Sequence, residues 1–247
     1  MKLRFSFAAA LIAALLPCIA AAADPDWTGD YLLSTNRELA GMGLRQITPT
    51  QLNELIVAHL QPWAKARLEA TDGVADDTGA VCQPTGPFRY PNNAGRFLWL
   101  PGPDRIVLVF NVVNTAGVRR IYMNAKHPKN LLPTWNGHSI GRWEGETLVI
   151  DTVGFNDKSW LMTGMQPHTE ETHMIERMRL VGDGKVIENT VVMEDRHALT
   201  SAYTFQRYYT KKSGEFPENA CNEDPEIWKQ FKDEALKKQN ERAKQIK

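Results

Sequence analysis

From Gly95 onward the chain breaks into short apolar or alternating runs, each closed by a turn signal. This pattern commits most of it to β structure. Phe97–Leu100 ends at Pro101-Gly102-Pro103-Asp104, and Arg105–Val112 ends at a turn over Asn114–Gly117. Val118–Asn124 leads into a connection that holds Pro128 and Pro133. Ser139–Trp143 and Thr147–Thr152 flank a Glu144-Gly145 turn, the signature of a hairpin. A long loop, Val153–Pro167, precedes Glu171–Val181. Gly182-Asp183-Gly184 joins that run to Lys185–Met193, and Ser201–Thr210 closes the series. About eight antiparallel candidates with short connections predict a mainly β fold, a meander closing into a barrel or strongly curved sheet. Arg105–Val112 is apolar at nearly every position, which predicts cover on both faces.

Helices are expected at both ends, packed outside the sheet. Thr48-Pro49-Thr50-Gln51 places a capping threonine before a proline at the first helical position, with glutamine three residues after the cap. Leu52, Leu55, Ile56, Leu60 and Trp63 then recur at helical spacing, and Pro62 divides or bends the helix. Asp224 and Pro225 start a second helical stretch with Ile227, Trp228, Phe231 and Ala235 on one stripe, followed by a charged tail. The expected organisation is a leader over 1–23, a helical and loop lead-in over 24–94, a β domain over 95–222, and a helix with tail over 223–247.

The opening residues read as a secretory signal. Lys2 and Arg4 precede an apolar run from Phe5 to Leu16, and Ala21 and Ala23 fit the small-residue rule for cleavage before Asp24. The apolar run is short for a membrane span, which needs roughly 20 residues. The expected location is therefore periplasmic or secreted, without stable membrane insertion. The full chain balances 29 basic against 29 acidic residues, and loss of Lys2 and Arg4 leaves about −2. No basic block interleaves with aromatics, which argues against nucleic acid as the main partner. Of the three cysteines, Cys82 and Cys221 remain after the leader. In an oxidising compartment the pair suggests one disulfide, with two free thiols as the alternative.

Chemistry is concentrated between Trp135 and Leu180. His138 stands before the first strand of the hairpin and Asp151 near the end of the second. With a strand period of two, Glu171, His173, Ile175, Arg177 and Arg179 share one face, and Thr172, Met174, Glu176, Met178 and Leu180 the other. A carboxylate among apolar neighbours, as Glu176 is, suits a proton-transfer group with a raised pKa. The pattern more often marks a structural ion pair, here with an arginine such as Arg119 or Arg120 on a neighbouring strand. Gly137-His138-Ser139-Ile140-Gly141 satisfies the string of a serine-nucleophile elbow. That elbow needs a strand ending at the serine and a helix directly after it, and here a hairpin follows. His168 and His173 are five apart, a spacing that matches no helical metalloprotease motif, so no metal is assigned.

The run Gly137–Phe155, GHSIGRWEGETLVIDTVGF, resembles a group of secreted bacterial proteins that share GHSxGxWEGxTLVVDTxGF. Arg120-Ile121-Tyr122-Met123, His127-Pro128, and the segment from Pro167-His168 to Glu176-Arg177 extend the similarity. It covers roughly residues 80–222 and implies an exported protein with a shared site.

These readings combine into an exported enzyme using cofactor-independent acid–base chemistry, such as elimination, isomerisation or hydrolysis, on an amphipathic or aromatic small molecule. His138, Asp151 and Glu176 would transfer or orient protons, while Arg120, Arg177 or Tyr122 would stabilise negative charge. Arg89, Trp143, Trp160, His168 and His173 are the candidate ligand contacts. The alternative is a non-catalytic small-molecule or lipid-binding protein of the cell envelope, and the sequence leaves room for an oligomer.

Overall fold

The computed structural model describes residues 26–73, 76–89, 96–112, 115–162 and 164–216, together with 233 and 237. Nine strands close into one barrel: β1 (Gly29–Leu33), β2 (Arg96–Pro101), β3 (Arg105–Val112), β4 (Thr115–Met123), β5 (His138–Glu144), β6 (Thr147–Val153), β7 (His173–Val181), β8 (Val186–Glu194) and β9 (Tyr203–Lys212). Each strand pairs with the next in the chain, and β1 pairs with β9 through Tyr31↔Lys211 to shut the wall. The expected barrel is therefore present. The lead-in contributes β1 to it, from the Asp30–Leu33 stretch that carries a weak strand signal in the sequence.

One pairing departs from the expected meander. β4 and β5 run parallel, through Ile121↔Ser139, Tyr122↔Ile140 and Met123↔Gly141. A tight turn cannot join parallel neighbours, so residues 124–137 form a longer crossover that brings the chain back beside β4. The prolines at 128 and 133 suit that extended crossing. The β5–β6 hairpin follows its sequence signal: Glu144 pairs with Thr147, and Gly145 takes a φ of +63° at the first turn position.

Inward residues form two apolar clusters. One packs Trp27, Tyr31, Phe97, Trp99, Leu108, Phe110 and Ile121 toward one end. The other joins Met174, Val191, Met193 and Tyr203 to Phe88, Phe155 and Leu161 from the connecting loops, and to a helical cap. That cap is α2 (Pro49–His59) and α3 (Pro62–Ala70), which follow a short α1 (Asn36–Ala40). Thr48 and Gln51 form the expected capping box, and Leu52, Ile56, Leu60 and Ala64 are buried. Trp63 is an exception to the expected stripe. It is 46% exposed, and its indole N–H donates to the His197 carbonyl at 2.6 Å. β3 also differs from expectation: Ile106, Leu108 and Phe110 are buried inward, whereas Val107 and Val109 on the outer wall are only half-buried.

Cys82 is disulfide-bonded. Its expected partner Cys221, the leader at 1–23 and most of the stretch expected as a C-terminal helix lie outside the described residues. Among the described residues no helix is long and apolar enough to cross a membrane.

Candidate functional site

Strand alternation divides the expected acid–base residues between two faces of the wall. Ile150 pairs with Glu176 and both point inward, while Asp151 pairs with Ile175 and both point outward. His138 is outward on β5 and Tyr122 outward on β4. Glu176 therefore does not converge with His138 and Asp151, and the three candidate proton-transfer residues fall into two separate groups.

The outer group is larger than the sequence suggested. His127, carried by the crossover, places Nδ1 2.9 Å from His138 Nδ1 and Nε2 3.2 Å from Asp151 Oδ1. His173 Nε2 lies 2.9 Å from the same Asp151 oxygen, and His173 Nδ1 lies 3.3 Å from Glu194 Oε2. Tyr122 stacks on His138 with centroids 5.0 Å apart and planes 11° from parallel, and the Arg105 guanidinium sits 5.5 Å over the Tyr122 ring. Burial first, and then the neighbouring His127, holds the His138 pKa below the usual histidine value. The row runs from β3 to β8 along the hydrogen-bonding direction of the sheet. Arg120 is exposed on the same wall, and Arg177 donates to Glu144 at 2.8 Å rather than facing His138.

The inner group is a buried polar layer. Arg119 donates to Ser139 Oγ at 3.0 Å, Thr152 Oγ1 at 2.8 Å and Glu176 Oε2 at 2.5 Å. Asn189 Nδ2 donates to the other carboxylate oxygen at 3.1 Å. Of the two arginines considered as partners for Glu176, the inward Arg119 is the one that pairs. Ser139 is 1% exposed and accepts from Arg119, so the serine of the GHSIG string is part of this layer. Next to the layer is a pocket lined by Phe88, Leu161, Met174, Val191, Met193 and Phe205, with Glu176, Asn189, Arg207 and Tyr209 on its polar side. Its cavity volume is about 20 Å³, room for one water. Burial lowers the pKa of Arg207 and raises that of Tyr209.

The other expected ligand contacts are structural. Arg89 is buried, holds Asp77 through two hydrogen bonds of 2.7 and 3.0 Å, and lies 5.0 Å over the Trp160 ring. Trp143 packs edge-on against Trp27 at 5.1 Å and is not among the residues that line the pocket. His168 is buried, with Nε2 3.1 Å from Ser159 Oγ and Nδ1 3.1 Å from the Thr169 carbonyl. The carbonyl must accept, so Nδ1 carries the proton and the Ser159 hydroxyl donates to Nε2. Ser159 is 3% exposed, so this pair is closed to a substrate.

Burial also lowers the pKa of His168, and this fixes a pH dependence. With the folded value below the unfolded value of about 6.5, the unfolded chain binds a proton that the native chain refuses. Stability carried by neutral His168 is therefore present above about pH 6.5 and falls as pH drops toward the folded pKa, by up to about 1.4 kcal/mol per pH unit. Urea midpoints measured from pH 7.5 to 5 should fall, and His168→Gln should flatten the slope. An unchanged slope in the variant assigns the loss to other groups.

Sequence reasoning missed His127, Glu194 and Asn189. Asn189 stands among Ile187, Val191 and Met193 on an inward face, the same polar-among-apolar signal that picked out Glu176. His127 sits in a crossover without periodicity, and only the resemblance includes it. Among the described residues no three His, Cys, Asp or Glu side chains converge on a metal position.

No protein-family model matches the chain, and no curated protein matches it significantly. Among solved structures, a secretary abundant heat soluble protein from Ramazzottius varieornatus aligns with 75% of this chain and 95% of its own, at 13% identity and a TM-score of 0.34. The REP1-NXSQ fatty acid transporter aligns with 76% of this chain and 97% of its own, at 8% identity and the same TM-score of 0.34. At these values neither likeness identifies a family or a ligand for this chain.

Proposed function

We propose that the chain is a small-molecule-binding barrel protein whose interior takes a compact amphipathic or aromatic compound carrying a hydrogen-bond donor. One observation carries this reading: among the described residues no hydrogen bond reaches the buried Asn189 Oδ1, which lines the pocket beside the Arg119–Glu176 layer. A buried acceptor left bare costs roughly 1–3 kcal/mol, so a hydroxyl or N–H placed there recovers a real penalty. The adjoining walls are Met174, Met193, Phe88 and Phe205, which present soft apolar surface to the rest of the ligand. The present space near Asn189 suits one water, so a larger ligand enters by displacing methionine side chains. The basic and apolar opening of the chain supports an exported setting. The outer wall exposes Arg120, Arg142, Arg177 and Arg179, charges that disfavour a lipid-facing barrel.

The test compares p-cresol with toluene, two probes of similar shape that differ in one hydroxyl. Calorimetry and thermal unfolding should show p-cresol binding about tenfold more tightly, as one recovered hydrogen bond implies. Met193→Phe, which fills the pocket, should abolish binding of both. Equal binding of the two probes, no binding of either, or binding that survives Met193→Phe would overturn the reading.

A further inference from the structure

The outer histidine row has a proton arrangement that follows from its contacts. His127 Nε2 faces the Asp151 carboxylate, which only accepts, so that nitrogen carries a proton. In neutral His127, Nδ1 is then a bare acceptor. The two ring centroids are 5.1 Å apart with the Nδ1 atoms at 2.9 Å, which places those atoms nearly head to head. The proton between them belongs to His138 Nδ1, donated to His127. His138 Nε2 is left as an open lone pair, with no hydrogen-bond partner among the described residues. Asp151 is itself held by His173, whose other ring nitrogen faces Glu194. Tyr122 fixes the His138 ring plane from β4, and Arg105 covers Tyr122 from β3.

We propose that His138 Nε2 is the base of a second site, on the outer wall, that hydrolyses activated acyl esters. The magnitude of the effect selects the substrate class. General-base catalysis contributes about 10²–10⁴-fold, and the side chains that contact His138 among the described residues, His127 and Tyr122, aim no donor at a developing oxyanion. The ester must therefore carry a good leaving group already. His138 Nε2 takes a proton from water as the water oxygen bonds to the acyl carbon. The tetrahedral intermediate collapses with cleavage of the acyl C–O bond, releasing the acid and the leaving alkoxide or phenoxide. The proton on Nε2 passes to that oxygen or to solvent, so ester and water are consumed one for one. His127 and Asp151 are positioning residues: they hold the Nδ1-protonated tautomer of His138 that leaves Nε2 free to take the proton. The lowered His138 pKa keeps the base unprotonated at neutral pH.

The probe is p-nitrophenyl acetate with the full chain. The expected rate per protein exceeds that of free imidazole at the same total histidine concentration by about tenfold or more. It should rise with pH through one ionisation below the ordinary histidine range. His138→Ala and His138→Gln should both return the rate to the imidazole reference while circular dichroism shows an unchanged fold. His127→Gln should lower the rate and move its pH midpoint up, toward the ordinary histidine value, because the neighbouring imidazole is gone. A merely structural role for His127 would leave that midpoint in place. Nitrogen NMR should find His138 protonated at Nδ1. A wild-type rate at the imidazole reference, full activity in both His138 variants, or a His138 ring protonated at Nε2 overturns the proposal.

Discussion

Replacing Arg119 with methionine should destabilise the barrel by about 3–5 kcal/mol, the largest single effect expected outside the aromatic core. The guanidinium is 2% exposed and binds Ser139, Thr152 and Glu176 at once. Methionine fills similar volume but leaves the Glu176 carboxylate buried without its counter-charge. Removing both charges is a different perturbation. A well-packed apolar pair often equals a buried ion pair, because the charges must first be stripped of water. The double variant Arg119→Met with Glu176→Met should therefore recover most of the loss. Urea unfolding at pH 7 measures both. If the double variant is as unstable as the single one, the layer stabilises the barrel through its full hydrogen-bond network rather than by neutralising one charge.

Gly137→Ala should cost about 2–4 kcal/mol, summing a left-handed backbone penalty and a steric one. Gly137 has φ +62°, and an added Cβ would lie 2.8 Å from the Val153 carbonyl oxygen and 2.9 Å from the Phe155 ring. Gly145 is the internal control. Its φ is +63°, yet nothing lies within 4 Å of its Cβ position. Gly145→Ala should then show the backbone penalty alone, about 1–2 kcal/mol. Equal losses at the two glycines would show that the chain near Gly137 shifts to admit the methyl group. Because Gly137 directly precedes His138, its alanine variant should also reduce outer-wall esterolysis.

The period of two made the wall legible from sequence, and it also separated the faces correctly. Met174, Glu176 and Met178 point in while His173, Ile175 and Arg177 point out, as alternation requires. What alternation could not supply is which side of one strand meets which side of another. His138 and Asp151 share the outer face of the β5–β6 hairpin and are bridged by His127, but Glu176 falls on the far side of the same wall. The parallel join between β4 and β5 was hidden for a related reason. A crossover of loop residues carries no periodic signal, and it is this crossover that brings His127 between His138 and Asp151. Asn189 was readable by the rule that found Glu176. Trp63 was misread because one backbone carbonyl, at His197, draws its indole off the helix stripe.

The closing pair has a consequence for the order in which the chain acquires its shape. Tyr31 and its partner Lys211 are far apart along the chain, so the last seam waits for every strand between them. Until β9 arrives, β1 and β8 each present an unpaired edge, the kind of surface that recruits strands from other chains. Contacts spanning such sequence distances also slow the search for the native state. Refolding yield should therefore fall as protein concentration rises, and a truncation before Tyr203 should aggregate rather than form a smaller barrel.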